Sequence, residues 1–325
     1  MSRNKTIHEA RRDGLPREAV SATTWNRRRW LLSAPPLLAA MAIFPPVVRA
    51  AEQPLTMGVF PRLNFPVKRF MPMADYLGQR IGREVNLVTA KNFDDFWRAV
   101  TQRRYDIAHF NQYHYIRSAR DYQVIAHIEE FDKSTIAGVL YVRKDSGITE
   151  LSQLRGRTVI FGGGEDAMIS YIANRYQFLQ AGLKKDDFKS LFAVSPPNAL
   201  LALSHRQADA AGAGDGVLGL QPVRDAIDTG ELTALAASTP LLQLPVAVRR
   251  DIPPKLRASI QSALVDLKKS KAGRQILASA MMTGMGKAED SDYDPHRRMA
   301  SAVFGADSAA SKPSVEGPEP VSPTR

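Results

Sequence analysis

The sequence predicts an α/β protein of two lobes, each a mostly parallel sheet flanked by helices, joined by a two-strand hinge. Three observations carry this. Short apolar runs alternate with amphipathic segments from Pro54 to Met281, the grammar of strands crossing over through helices. The pattern falls in two blocks, about 54–135 and 155–240. Two longer strands, Ile136–Lys144 and Pro245–Arg250, border them, each ending in a basic-Asp turn. A chain that leaves one lobe on one strand and returns on another makes a hinge, with the ligand cleft between the lobes.

The elements follow in order. LTMGVF (55–60) reads as a strand, and Phe65–Ile81 as a helix with Phe70, Met73, Ala74 and Leu77 on one face. Strands are predicted at 85–90 and 106–110, with helices Asp94–Arg103 and Gln112–Arg120 after them. VIAHIEE (124–130) and 136–144 are further strands. In the second block, TVIF (158–161) runs into Gly162-Gly163-Gly164 and a helix from Glu165 to about Ala181. Strand 190–194, helix Asn198–Arg206, the small-residue strand 208–214, helix Val217–Asp228 and strand 232–237 follow. Strand 245–250 and helices Pro254–Lys269 and Ala272–Met281 close the pattern. Lobe 1 is expected over 51–143 and 245–304, with its C-terminal helices packing back, and lobe 2 over 144–244.

Composition narrows the function. The chain has 325 residues, 44 Lys or Arg, 33 Asp or Glu, and a net charge of +11. The first fifty residues hold nine of those bases and three of the acids. The rest is mildly basic with signs interspersed and lacks the basic stripe of a nucleic-acid binder. There is no cysteine, which excludes disulfides, thiolate metal sites, cysteine nucleophiles and a lipoprotein anchor. Asn26-Arg27-Arg28-Arg29 precedes an apolar run, Leu31–Val48, and Val48-Arg49-Ala50 offers a small-x-Ala cleavage site. Residues 1–50 therefore read as an export signal with a long basic start, compatible with the ordinary secretory or the twin-arginine route. Four prolines in the run disfavour a stable spanning helix. Gly305–Arg325 is rich in Pro, Ser, Ala and Glu and reads as a disordered tail.

Ligands of parallel α/β lobes meet the loops at strand C-termini, which selects five loops. In the first, Phe60 walls the cleft or joins the core, and Arg62 counters an anion or is solvated. In the second, Asn92 caps the next helix and Lys91 is an anion candidate. The third, His109 to Tyr115, gathers rings and amides, with His109 the main polar candidate, Asn111 able to cap, and Tyr113 or Tyr115 in the core. In the fourth, Gly162, Gly163 and Gly164 offer backbone N–H donors at a helix start. Glu165 and Asp166 complement the positive helix end there or receive donor groups of a ligand. The spacing Gly162-x-Gly164-x-x-Ala167 resembles a dinucleotide fingerprint, but the next strand ends Val194-Ser195-Pro196 without the acid that would hold a ribose. In the fifth, Asp215 accepts from a ligand or caps a helix, and Asn198 after Pro197 has the same two readings. The histidines are scattered, with no metal spacing and no nucleophile elbow, so no metal, cofactor or catalytic residue is expected.

Several stretches together carry a family resemblance. They are GVFPR, ADYLGQRIG with VNLV, YDIAHFNQYHYI, LYVRKDSGITELSQLRGRTVIF, QFLQAGL, QADAAGAGD and LPVAVRRDIPPKLRASIQSAL. Over Leu55–Phe304 the chain resembles the substrate-binding proteins of the phosphate/phosphite/phosphonate group of ABC transporters. The resemblance implies the type II periplasmic-binding-protein fold, a periplasmic monomer, a small oxyanionic ligand and an inner-membrane permease as partner. It also implies a Ser-Thr-Ser run at the start of the helix after the second-lobe strand. This chain has Asp166-Ala167-Met168-Ile169-Ser170 there, and Ser195-Pro196-Pro197-Asn198 where a Gly-x-His segment is implied. A sensor docking on a receptor kinase, and an enzyme using His109 as base, are the competing readings.

Overall fold

The computed structural model describes residues 52–61 and 67–306. The expected export signal, Arg62 and residues 307–325 of the tail lie outside them. In chain order, β1 (Leu55–Val59), α1 (Met71–Ile81), β2 (Val85–Thr89), α2 (Phe93–Thr101), β3 (Ile107–His109), α3 (Gln112–Ser118) and β4 (Tyr122–Glu129) come first. Then come β5 (Thr135–Ile136), β6 (Gly138–Arg143), β7 (Thr158–Gly162), α4 (Ala173–Gln180), β8 (Lys189–Ala193), α5 (Pro196–Ser204) and β9 (Ala210–Gly214). The chain closes with α6 (Gln221–Ala226), β10 (Leu232–Ala237), β11 (Leu241–Leu242), β12 (Pro245–Arg249), α7 (Pro254–Asp266), α8 (Lys271–Ser279), β13 (Gly284–Lys287) and α9 (Asp294–Phe304).

Two sheets result, in the orders β13-β4-β12-β3-β1-β2 and β10-β6-β9-β7-β8. Both are mixed. β1 pairs parallel with β2 and β3, and β7 with β8 and β9. The strands nearest the lobe crossing, β6, β10 and β12, pair antiparallel. The hinge is the small ladder of β5 with β11, Ile136 opposite Leu241 and Thr135 opposite Leu242. This corrects the expected boundary at 143/144. The single strand predicted over 136–144 divides at Ala137, and its longer part pairs in the second sheet. Gly138–Arg143 is almost wholly buried, and an edge in lobe 1 could not cover it on both faces.

Helix boundaries follow local chemistry. Asn92, Asn111, Ser195 and Ser270 cap α2, α3, α5 and α8 with side-chain oxygens. Gly82, left-handed at φ 67°, ends α1. The helix expected from Glu165 instead opens as a π-helical turn, Met168–Ile172, before α4. β13 and α9 were not expected. α9 packs against both α3 and α4 and is fastened to the hinge. Tyr293 Oη donates to the Gln243 carbonyl at 2.8 Å, and His296 Nε2–H to that of Leu242 at 3.1 Å. One core cluster therefore runs through both lobes, from Phe110 and Tyr115 to Phe161 and Tyr171, by way of Tyr293 and Met299.

Candidate ligand-binding cleft

On the lobe 1 side, the strand ends carry interlocked rings. Phe60 follows β1 and stacks on His109 at 5.2 Å with planes 14° apart, and Phe70 lies 5.5 Å from the same imidazole. His109 is fully buried and Phe60 nearly so. The histidine expected to reach the ligand is enclosed by aromatic walls, because it is the last inward residue of a central strand. Asn111 accepts from Tyr113 N–H at 2.9 Å and so acts as the cap of α3. Tyr113 is buried, with the Arg117 guanidinium 5.3 Å from its ring centre, and burial raises its phenol pKa. Asn92 accepts from Asp95 N–H at 2.8 Å, which leaves Lys91 exposed on the loop rim.

The residue that sequence reasoning missed is His114. The cap at Asn111 starts α3 at Gln112, which places His114 in the first turn, at the cleft end. It is buried, stacks on Trp97 at 5.2 Å and lies 5.9 Å from Phe93. Its Nε2–H donates across the lobes to Asp166 Oδ2 at 3.3 Å. That bond is the first cause of a lowered Asp166 pKa, with burial opposing it and the Arg117 charge helping. Asp166, expected to face the ligand, is half-exposed and turned to lobe 1. Glu165 pairs with Lys185 at 3.0 Å. Both acids of the glycine loop thus have cationic or N–H partners within the protein.

The three glycines differ in role. A side chain at Gly162 would fall on the backbone of Pro196, while Gly163 sits at φ 95°. Gly163 N–H donates to the Ala193 carbonyl at 2.8 Å and Ala167 N–H to that of Gly164 at 3.0 Å. The Ser170 hydroxyl donates to the Gly162 carbonyl. The loop is therefore closed upon itself more than an open anion cradle would be. Ser195, not Asn198, caps α5; its hydroxyl lies 2.5 Å from Asn198 Oδ1. Asn198 stays exposed.

Asp215 caps no helix. Its N–H donates to the Ala137 carbonyl at 3.0 Å, and its carboxylate accepts from Ala137 N–H at 3.4 Å. It thereby ties the end of β9 to the hinge. Beside it opens a cavity of about 330 Å³ lined from both lobes, with Phe131, Lys133, Asp215, Gly216, Arg224 and Gln243 among its walls. A second cavity of about 530 Å³ lies between α4 and α9. Among the described residues, no group of three or more His, Cys, Asp or Glu could hold a metal ion. No helix among them is long and apolar enough to cross a membrane.

Two mixed sheets under helices, joined by a two-strand ladder, make the two-lobed α/β architecture of the type II periplasmic-binding fold. The chain belongs to the family of periplasmic substrate-binding proteins of phosphonate ABC transporters, whose model matches residues 57–293. A Xanthomonas citri protein solved with ATP superposes with a TM-score of 0.67 at 14% identity, covering 77% of this chain and 96% of that one. PhnD1 of Prochlorococcus marinus, solved with methylphosphonate, gives 0.66 at 18% identity over 78% and 98%. A binding protein of a Pseudomonas aeruginosa phosphonate transporter gives 0.63 at 16% over 76% and 85%. At these identities the likeness shows the fold.

Proposed function

We propose that this protein is exported and captures a small oxyanionic solute by closing two lobes about the hinge. It then presents the solute, unchanged, to an ABC-transporter permease. The observation that supports this most is the meeting of strand-end loops from both sheets, His114 with Asp166, beside a hinge of only two short strands. A clamp needs such a place, since a ligand shifts the open–closed balance only by its preference for the closed form. The solute would be touched by the strand-end groups that remain accessible, among them Lys91, Gly164, Asn198 and Asp215. Phe60, His109, Asn111, Tyr113, Gly162 and Gly163 shape the walls behind them. No catalytic residue, cofactor or metal enters, and the working unit is a monomer in the periplasm.

Native mass spectrometry of the purified mature chain, followed by calorimetry with phosphate, methylphosphonate, methanesulfonate and ATP, tests the reading. At least one solute is expected to bind with micromolar affinity or better, to be recovered intact, and to reduce the radius of gyration. A tight ligand that raises the melting temperature without compaction would sink the clamp.

A further inference from the structure

The charge of this chain is unevenly placed. The second lobe, residues 138–237, holds ten Lys or Arg against eleven Asp or Glu. In lobe 1 the sheet is covered on both faces. Along β12, Val246 and Val248 join one core and Ala247 the other, because successive strand residues point to opposite sides. The layer of α2, α3 and α9, residues 91–121 and 288–304, holds eight bases and eight acids. The opposite layer is made by α1, α7 and α8, whose Leu77, Ile260 and Leu277 face the sheet. Its two segments, residues 68–84 and 254–274, hold ten bases and only three acids, Asp75, Glu84 and Asp266. Asp266 pairs with Lys269 at 2.6 Å, and acids of neighbouring elements take two more bases, Glu52 with Arg83 at 3.7 Å and Glu129 with Lys268 at 2.9 Å. Among the described residues, Lys68, Lys255, Arg257, Lys271 and Arg274 make no ion pair, and all of these except half-buried Arg257 are exposed.

Two features give this basic layer a partner. Ser279 Oγ donates to the Arg69 carbonyl at 3.0 Å, which ties the end of α8 to the turn before α1. Met71, the first residue of α1, and Met281, just past α8, flank that tie, 49% and 50% exposed. Apolar side chains among bases suit an anionic bilayer, whose headgroups attract the charge while the acyl boundary takes the apolar atoms. The second feature is where the chain enters the fold. The described residues begin at Glu52, and the Arg83 guanidinium, just past α1, donates to the Gln53 carbonyl. The apolar run Leu31–Val48 ends shortly before. An export signal is handled in the bilayer, so on the export reading the folded domain emerges with an edge of this layer nearest the lipid.

We propose that the α1–α7–α8 layer of lobe 1 docks the domain on an anionic phospholipid surface, with Met71 and Met281 entering the headgroup layer. This goes beyond solute capture and holds whichever solute is bound. The mature chain is sedimented with vesicles of equal parts phosphatidylglycerol and phosphatidylcholine, and with phosphatidylcholine alone. Salt is set at about 0.05 and 0.5 M, which shortens the screening length about threefold. Binding is expected to the charged vesicles at the lower salt, and not to the neutral ones. Each base near an anionic leaflet is worth about fivefold in binding. The triple variant Lys68→Gln/Lys255→Gln/Lys271→Gln, which breaks no ion pair, is therefore expected to lose about 100-fold. Lys144→Gln/Lys184→Gln/Lys189→Gln removes the same charge from exposed positions of lobe 2 and should lose less than about fivefold, since those charges lie beyond the screening length from the bilayer. Met71→Ser/Met281→Ser should lose roughly tenfold at both salt concentrations, because apolar burial is not screened. Melting curves verify that each variant folds. Equal losses in the two lysine triples would mean attraction by net charge alone and would overturn the docking face. A wild-type chain that leaves the charged vesicles unbound at the lower salt, as it would if its partner were an acidic protein, would overturn it too. Unchanged binding of the methionine variant would remove Met71 and Met281 from the contact.

Discussion

The two walls of the cleft are made by different means. Lobe 1 presents rings locked edge to face, with Phe110 against Phe96, Tyr115 and Tyr122 at 5.2–6.2 Å and the Arg117 guanidinium 4.4 Å over Trp97. Lobe 2 presents backbone. β9 reads Ala-Ala-Gly-Ala-Gly and is wholly buried, and a side chain at Gly212 would fall on the Ser170 carbonyl and the Phe161 ring. The π-helical turn presses directly on the sheet. One wall is therefore sensitive to the removal of atoms and the other to their addition, though both serve one cleft.

The largest expected effect tests the ring wall. Phe110→Ala deletes a fully buried ring from a cluster that cannot collapse without moving three other aromatics, at a cost of about 3–5 kcal/mol. Urea unfolding measures it. A loss under about 1 kcal/mol would mean that lobe 1 is as adaptable as an ordinary surface.

Next comes the strap that joins the walls. Burial pushes the pKa of His296 down to about 4, with its bond to the Leu242 carbonyl opposing the shift. Its folded value lies below the unfolded value of about 6.5. Between these values the unfolded chain binds more protons, so stability rises with pH across that window and is lost as pH falls from about 6.5 toward 4. The full effect is on the order of 3 kcal/mol. His296→Gln keeps a donor for Leu242 and should flatten the slope between pH 4.5 and 7. An unchanged slope would exclude His296 as its source.

The contrast between the walls also explains what the sequence revealed. Alternation of strand and helix exposed most elements, because parallel β-α-β units repeat a local pattern. The glycine loop, Asn92 and Asn111 were legible because turns and caps are set by neighbours. The hinge was not. β5 and β11 have two residues each and exist only through their pairing. β13, Gly-Met-Gly-Lys, lacks the branched residues that announce a strand. Asp166 lies on a loop that the sequence singles out, but its partner His114 comes from another lobe, and no spacing rule connects them.

The backbone wall gives the third prediction. Gly212→Ala puts a methyl group against a carbonyl that is fixed by the π turn, where no flexible side chain can yield. A destabilisation of about 1–3 kcal/mol is expected, although the same substitution in an exposed strand should be nearly harmless. A neutral result in urea unfolding would show that the turn can lift from the sheet.

The smallest effect probes where the walls touch. The Asp166 carboxyl is held below its usual value by His114, so its contribution is present above the unfolded value, and it is lost as pH falls through the lowered folded one, below 3.8. Because Asp166 is half-exposed, solvent screening keeps this contribution under about 1 kcal/mol. Asp166→Asn should therefore barely move the melting point at neutral pH. It should instead weaken every solute by a similar factor of about two to five, because the bond to His114 favours the closed form irrespective of what lies inside. A carboxylate that touches the solute predicts otherwise: loss confined to ligands carrying N–H or O–H donors, with methanesulfonate unaffected. Binding constants for a donor-bearing and a donor-free anion, measured on Asp166→Asn and His114→Gln, separate the two roles. Parallel losses in both variants would assign Asp166 to closure. A loss selective for donor-bearing ligands in Asp166→Asn alone would return it to the solute.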